Sequence, residues 1–266
     1  GGRQPRVGRG LGDAEGGAGE PVDVLLLAGD LFDGDGYDHA TGLFFASQLA
    51  RLREADVQVV LVRGNHDAQS RVFEQMRLGS HVHELSQRAP DTWRHEGLGL
   101  AVHGQGFSQR VVTDDLAAAL PERCSDLFNV GLLHTSLDGR PGHDVYAPTS
   151  VDVLASKGYD YWALGHVHAR EVVSRDPHIV YAGNLQGRHV RETGPKGASV
   201  LTVEDGRLVD LSHRALDVLR WARLEVYVAE HSDVDEVVDA VGRALVQAAD
   251  AAEGRLLATR VLLQGA

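Results

Sequence analysis

The chain has 266 residues, 43% of them hydrophobic and 24% charged, an ordinary globular composition with length enough for a sizeable core. Its 26 basic and 38 acidic side chains give a formal net charge of −12, which argues against binding a phosphate backbone by bulk charge. Cys124 is the only cysteine among 14 histidines, so intramolecular disulfides and multi-cysteine metal sites are excluded while imidazole ligands are plentiful.

Residues 1–20 hold eight glycines and few large apolar side chains, and are expected to be disordered because they bury too little to offset their ordering entropy. Residues 22–28 (VDVLLLA) then form an apolar run too short for a helix, which suits a buried strand. Residues 41–55 carry Phe45, Leu49 and Leu52 at helical spacing, and 57–62 (VQVVLV) is a β-branched strand. Strand, helix and strand at this spacing predict a βαβ unit and a parallel sheet.

Further strands are expected at 98–103, 128–133, 159–164 and 179–182. Short helices are expected at 114–120, stopped by Pro121, and at 150–156. Residues 199–204 and 207–211 flank Asp205-Gly206 and predict a hairpin. Near residue 216 the pattern restarts. A strand at 224–228 precedes Ser232 and Asp235, spaced as a capping box, and a helix with Val234, Val237, Val238, Val241 and Leu245 on one face. Gly254 ends it, and 256–263 is a last strand. The expected domains are therefore 22–215 and the start of a smaller α/β domain at 216–266. No stretch approaches the roughly 18 apolar residues of a membrane span, and the N-terminus lacks a secretory h-region; no membrane partner and a cytoplasmic location are expected.

Four predicted strands run into glycine or threonine beside residues able to bind metal. These are Gly29-Asp30-Leu31-Phe32-Asp33, Gly64-Asn65-His66-Asp67, His134-Thr135 and Gly165-His166-Val167-His168. Ligands gather at the carboxyl ends of strands in open α/β sheets. A set of carboxylate, amide oxygen and imidazole without thiolate suits manganese, iron or zinc. Paired cations are a recurring device for phosphoester cleavage. Taken singly, each cluster also reads as a turn or a solvated loop; it is their joint occurrence in order at strand ends that points to one site.

In this order the motifs resemble the calcineurin-like metallophosphoesterases. Residues 64–71 (GNHDAQSR), 134–139 (HTSLDG) and 182–197 (AGNLQGRHVRETGPKG) are similar to the SbcD-like DNA-repair exonucleases of the YhaO type. The resemblance implies a β-sandwich flanked by helices, followed by a small capping domain, and two divalent metal ions, manganese first with iron or zinc as alternatives. It implies Asp30 as bridging ligand, Asn65, His134 and His166 completing one metal site, and His168 belonging to the other. His66 would be the catalytic histidine and Asp33 the carboxylate that orients it, with Asp67 as the alternative orienting partner.

The resemblance further implies a DNA substrate, a homodimer and an SMC-like ATPase subunit. Other substrates, such as nucleotides or small phosphodiesters, and a metal-incompetent scaffold remain open. The family's opening Asp-x-His motif has no counterpart here, so an N-terminal truncation, a missing first strand and a compromised activity are expected. Arg188, His189, Arg191 and Lys196 make a locally basic loop, and Arg63, Arg71 and Arg170 neighbour the motifs.

Overall fold

The computed structural model describes residues 6–7, 21–32, 39–137, 145–230 and 233–265. In chain order the strands are β1 Arg6–Val7, β2 Val24–Ala28, β3 Gln58–Val62, β4 Val82–Glu84, β5 Asp91–His95, β6 Leu100–Gly104 and β7 Phe128–His134. They continue with β8 Tyr161–Gly165, β9 Glu171–Arg175, β10 His178–Tyr181, β11 Gly197–Glu204, β12 Arg207–Ala215, β13 Leu219–Tyr227 and β14 Leu256–Gln264. The helices are α1 His39–Glu54, α2 Arg71–Gln75, α3 Leu116–Ala119, α4 Val151–Ser156 and α5 Val234–Ala251. The chain divides into two compact units, Gly1–Gly183 with Ser199–His213, and Asn184–Ala198 with Arg214–Ala266.

The first unit contains two six-stranded sheets, ordered β12-β11-β1-β2-β3-β4 and β5-β6-β7-β8-β10-β9. Within them β2, β3 and β4 run parallel, as do β6, β7, β8 and β10. The period of two along each strand sorts the apolar side chains into layers. Val24, Val60 and Val62 share a core with Leu100, Val102, Val130 and Leu132 of the other sheet. Their neighbours Leu25, Val59 and Leu61 pack instead with Leu49 of α1 and Phe73 of α2. On the far side, Leu133, Trp162, Leu164 and Ile179 pack with Leu116 of α3 and Leu154 of α4. The result is the expected sandwich of two sheets flanked by helices. Among the described residues, no helix is long and apolar enough to cross a membrane.

One expectation needs correction. The sheet position that the sequence left without a strand is filled by β1, which pairs parallel with β2 at Val24 and antiparallel with β11 at Leu201 and Thr202. Two residues of a glycine tract supply it, because ladder hydrogen bonds need only backbone groups. The rest of 1–20 lies outside the described residues.

In the second unit β13 and β14 pair in parallel, with α5 between them in sequence, as the βαβ pattern predicts. The helix is capped one residue later than the expected box: the Asp233 side chain accepts from the Glu236 N–H at 2.9 Å. Ser232 lies outside the described residues. Asp217 and Arg220 form a buried ion pair at 2.9 Å, and Arg255 approaches the same carboxylate at 3.2 Å. Burial acts to raise the Asp217 pKa, but the hydrogen bond and charge of Arg220, with Arg255, hold it below the ordinary carboxylate value.

Candidate metal centre

The carboxyl ends of β2, β3, β7 and β8 converge. β2 and β3 are neighbours in one sheet, β7 and β8 neighbours in the other, so the two parallel pairs deliver their terminal loops to one place. At the centre is the fully buried imidazole of His134, the last residue of β7. Its Nδ1 lies 2.9 Å from the Ala28 carbonyl oxygen. A carbonyl can only accept, so Nδ1 carries the proton and Nε2 of the neutral ring presents a lone pair. That Nε2 faces Asn65 Oδ1 at 3.0 Å and Asp30 Oδ2 at 3.4 Å.

Three acceptor atoms thus point at one another. The arrangement is relieved by a second proton on the imidazole, by an Asn65 amide turned to donate its NH2, or by a cation between the three. A carboxylate oxygen, an amide oxygen and a backbone-anchored imidazole fit a divalent cation of the manganese, iron or zinc type. Burial acts to raise the Asp30 pKa, but when the imidazole carries its second proton, the hydrogen bond and charge of His134, helped by the His66 N–H, bring it below the ordinary range. Among the described residues no group of three or more His, Cys, Asp or Glu side chains is placed to hold an ion; the triad here is completed by the amide of Asn65.

Two of the expected ligands sit on unusual backbone. Asp30 has φ of +54° and His166 has φ of +95°, a left-handed region that costs energy for residues with a Cβ and concentrates at functional sites. Gly29, at φ +88°, allows a closer approach still: a Cβ there would stand 2.7 Å from both Gly64 N and His134 Nδ1. The His166 ring lies 5.2 Å from that of His134, edge to face. His168 follows on the same turn and is half-buried.

The Gly29-to-Phe32 and Gly64-to-Asp67 loops are stitched together. Asp67, fully buried, accepts from the Leu31 and Phe32 N–H groups at 2.8 and 3.0 Å through Oδ1, and from the Gly64 N–H at 3.0 Å through Oδ2. Its carboxyl is pushed up by burial and by the Asp30 charge, against the pull of those three donors. Through these bonds Asp67 ties the two loops together. The His66 N–H donates to Asp30 Oδ1 at 3.0 Å, which places His66 beside the centre. Asp33, expected to orient it, lies outside the described residues.

Sequence reasoning missed two aromatic neighbours. Phe107 meets the His134 ring edge to face at 5.5 Å, and Tyr146 meets that of His166 at 5.6 Å. Neither stands in a motif. The neighbouring arginines divide differently from expectation. Arg63 is bonded to Glu84 at 2.8 Å with its guanidinium 4.3 Å from the centre of the Phe73 ring, so it serves packing. Arg170 Nε donates to Ser199 Oγ at 3.1 Å. In the second unit Arg188, His189 and Arg191 are exposed, whereas Lys196 is buried and does not join a solvent-facing basic loop.

Comparison with known proteins shows the family of the chain. Residues 8–170 match the family model described as calcineurin-like phosphoesterase, and 221–266 match that of the metallophosphoesterase YhaO middle domain. The chain is 35% identical over 250 residues to an uncharacterized metallophosphoesterase, YhaO, of Bacillus subtilis, covering 92% of this chain and 60% of that protein. It is 29% identical over 180 residues to the DNA double-strand break repair protein Mre11 of Methanopyrus kandleri, covering 59% and 37% of the two chains. To a subunit of the nuclease SbcCD of Staphylococcus epidermidis it is 23% identical over 245 residues, covering 81% and 64%. The chain therefore spans less than two thirds of the length of each of these relatives.

Proposed function

Because the chain belongs to the calcineurin-like phosphoesterase family, we propose that it is a metal-dependent phosphodiesterase acting on DNA, as an exonuclease subunit in repair. The observation that carries this reading is the convergence of Asp30 Oδ2, Asn65 Oδ1 and His134 Nε2 at the ends of three strands from two sheets. Asp30, Asn65 and His134 would hold one divalent cation, with His166 joining them when the ion binds, and Asp30 with His168 would contribute to a second. Such ions, when bound, clamp phosphate oxygens and acidify a water; manganese is the proposed metal, with iron or zinc as alternatives. The Ala28 carbonyl holds His134 in the tautomer that leaves Nε2 free for this task.

His66, beside Asp30, would protonate the leaving oxygen, with Asp33 as its orienting carboxylate. The Mre11 relative is a double-strand break repair protein and the SbcCD relative a nuclease subunit, which supports DNA as the substrate and a partner subunit. An SMC-like ATPase and a homodimer complete the proposal. The net charge of −12 is compatible with it because bound cations bring the positive charge to the phosphate. Among the described residues one donor set is assembled, so one tightly held ion per chain is expected.

The test is cleavage by the purified chain with Mn²⁺ of three substrates: single-stranded DNA, a cyclic nucleotide and a nitrophenyl phosphodiester. Cleavage of DNA, abolished by Asn65→Ala and His66→Ala, supports the reading. Cleavage of the small diesters alone replaces DNA with a small substrate. A chain that neither binds Mn²⁺ nor cleaves any of the three is the metal-incompetent scaffold.

A further inference from the structure

The two loops that meet at the centre exchange carboxylates. Asp30, on the first loop, accepts the His66 N–H of the second through Oδ1 at 3.0 Å. Asp67, on the second loop, accepts the Leu31 and Phe32 N–H groups of the first at 2.8 and 3.0 Å. Asp67 also closes its own loop through the Gly64 N–H at 3.0 Å. Four backbone donors are thereby satisfied by two side chains, 35 or 36 residues apart for the three bonds that cross between loops. Asp67 is fully buried, so no bulk water competes for its oxygens, and a carboxylate accepting several N–H groups is the stronger kind of hydrogen-bonded tie.

We infer that Asp67 is a positioning residue that fixes Asp30 and Asn65 in their cation-binding geometry before any cation arrives. The inference rests on the metal-dependent reading above. Its logic is a division of labour within Asp30: one oxygen is spent on the His66 N–H, and Oδ2 is left to face His134 Nε2. Without Asp67, the turn bearing Asp30 loses the bonds to the two residues that follow it, and the Asp30 carboxylate is free to rotate away. Groups that orient metal ligands in this way typically change metal affinity by about 10–100-fold when removed.

The experiment is a titration of the full chain with Mn²⁺, reading free Mn²⁺ by electron paramagnetic resonance well below the melting temperature. Wild type, Asp30→Asn, Asp67→Ala and Asp67→Asn are compared, with circular dichroism to confirm folding. The expected result is an affinity about 10–100-fold weaker for Asp67→Ala. Asp67→Asn, which keeps an acceptor for Leu31 and Phe32 but loses the one for Gly64, falls between it and wild type. A merely structural role would lower the melting temperature and leave the affinity of the folded protein unchanged. A folded Asp67→Ala chain that binds Mn²⁺ as tightly as wild type overturns the inference alone. If Asp67→Ala does not fold, wild-type affinity in Asp67→Asn overturns it. Wild type binding no more tightly than Asp30→Asn overturns the metal reading, and the inference with it.

Discussion

Gly165 stands so close to Ala28 that a Cβ on it would overlap the Ala28 carbonyl oxygen and lie 3.0 Å from His134 Nδ1. The same carbonyl receives the His134 proton. One backbone oxygen of the first sheet therefore anchors the end of β7 and sets how near β8 can come. Gly165→Ala is expected to cost about 1–3 kcal/mol by overpacking and to weaken Mn²⁺ binding, because the His134 anchor must shift. Thermal unfolding and the Mn²⁺ titration check it together.

Metal addition should stabilise the first unit. A ligand that binds only the folded state at a hundred times its dissociation constant adds about 2.7 kcal/mol. The melting transition should rise with Mn²⁺, fall back with a chelator, and lose its metal dependence in Asp30→Asn. A transition that ignores Mn²⁺ in wild type contradicts this.

His103 gives a pH prediction away from the site. It is fully buried between Thr92 Oγ1 and Asn129 Oδ1, and its ring stacks on Tyr159 at 4.5 Å. Burial lowers its pKa below the ordinary 6.5, against the hydrogen bond to Asn129, which raises it. Below pH 6.5 the unfolded chain takes up a proton that the folded chain refuses, so stability falls with pH from there down to the folded-state pKa. His103→Gln should reduce that slope, as denaturant titrations at successive pH values would show.

Asp217→Asn should destabilise the second unit by up to about 3–5 kcal/mol at neutral pH, since it leaves the buried Arg220 with only the exposed Glu253, at 3.5 Å, as a charge partner. The folded Asp217 pKa lies below the ordinary 3.8. Its contribution is therefore full above that value and is lost as pH falls through the folded value. The gap between wild type and Asp217→Asn should close in that acid window. Trp221, whose indole donates to the Gly187 carbonyl at 3.0 Å, is a fluorescence reporter within this unit.

The central strands and their terminal motifs were legible because they are local: an apolar run of five to seven residues ends in glycine beside a metal-binding side chain. The missed strands β4, β5 and β9 lie at sheet edges. Sequences such as Val82-His83-Glu84 or Asp91-Thr92-Trp93-Arg94-His95 are half-exposed there and carry no apolar run to announce them. β1 was invisible for a related reason, since a glycine tract can supply ladder groups without any side-chain pattern. At the centre, the motifs identified Asp30, Asn65 and His134. They said nothing of the Ala28 carbonyl, which is a backbone atom, or of Phe107, which reaches His134 only through the fold. For Asp67 the residue was visible but its three donors were not, because two of them lie more than thirty positions away.

The partition of the chain has a practical corollary. The polypeptide passes between the units at 183/184, 198/199 and 213/214, so the second unit is threaded through the first in sequence rather than appended to it. A cut near residue 214 would release α5 and its two strands while leaving behind 184–198, including the Gly187 carbonyl that receives the Trp221 indole. No single peptide bond divides the two units cleanly, and proteolytic dissection at any one crossing returns at least one of them incomplete.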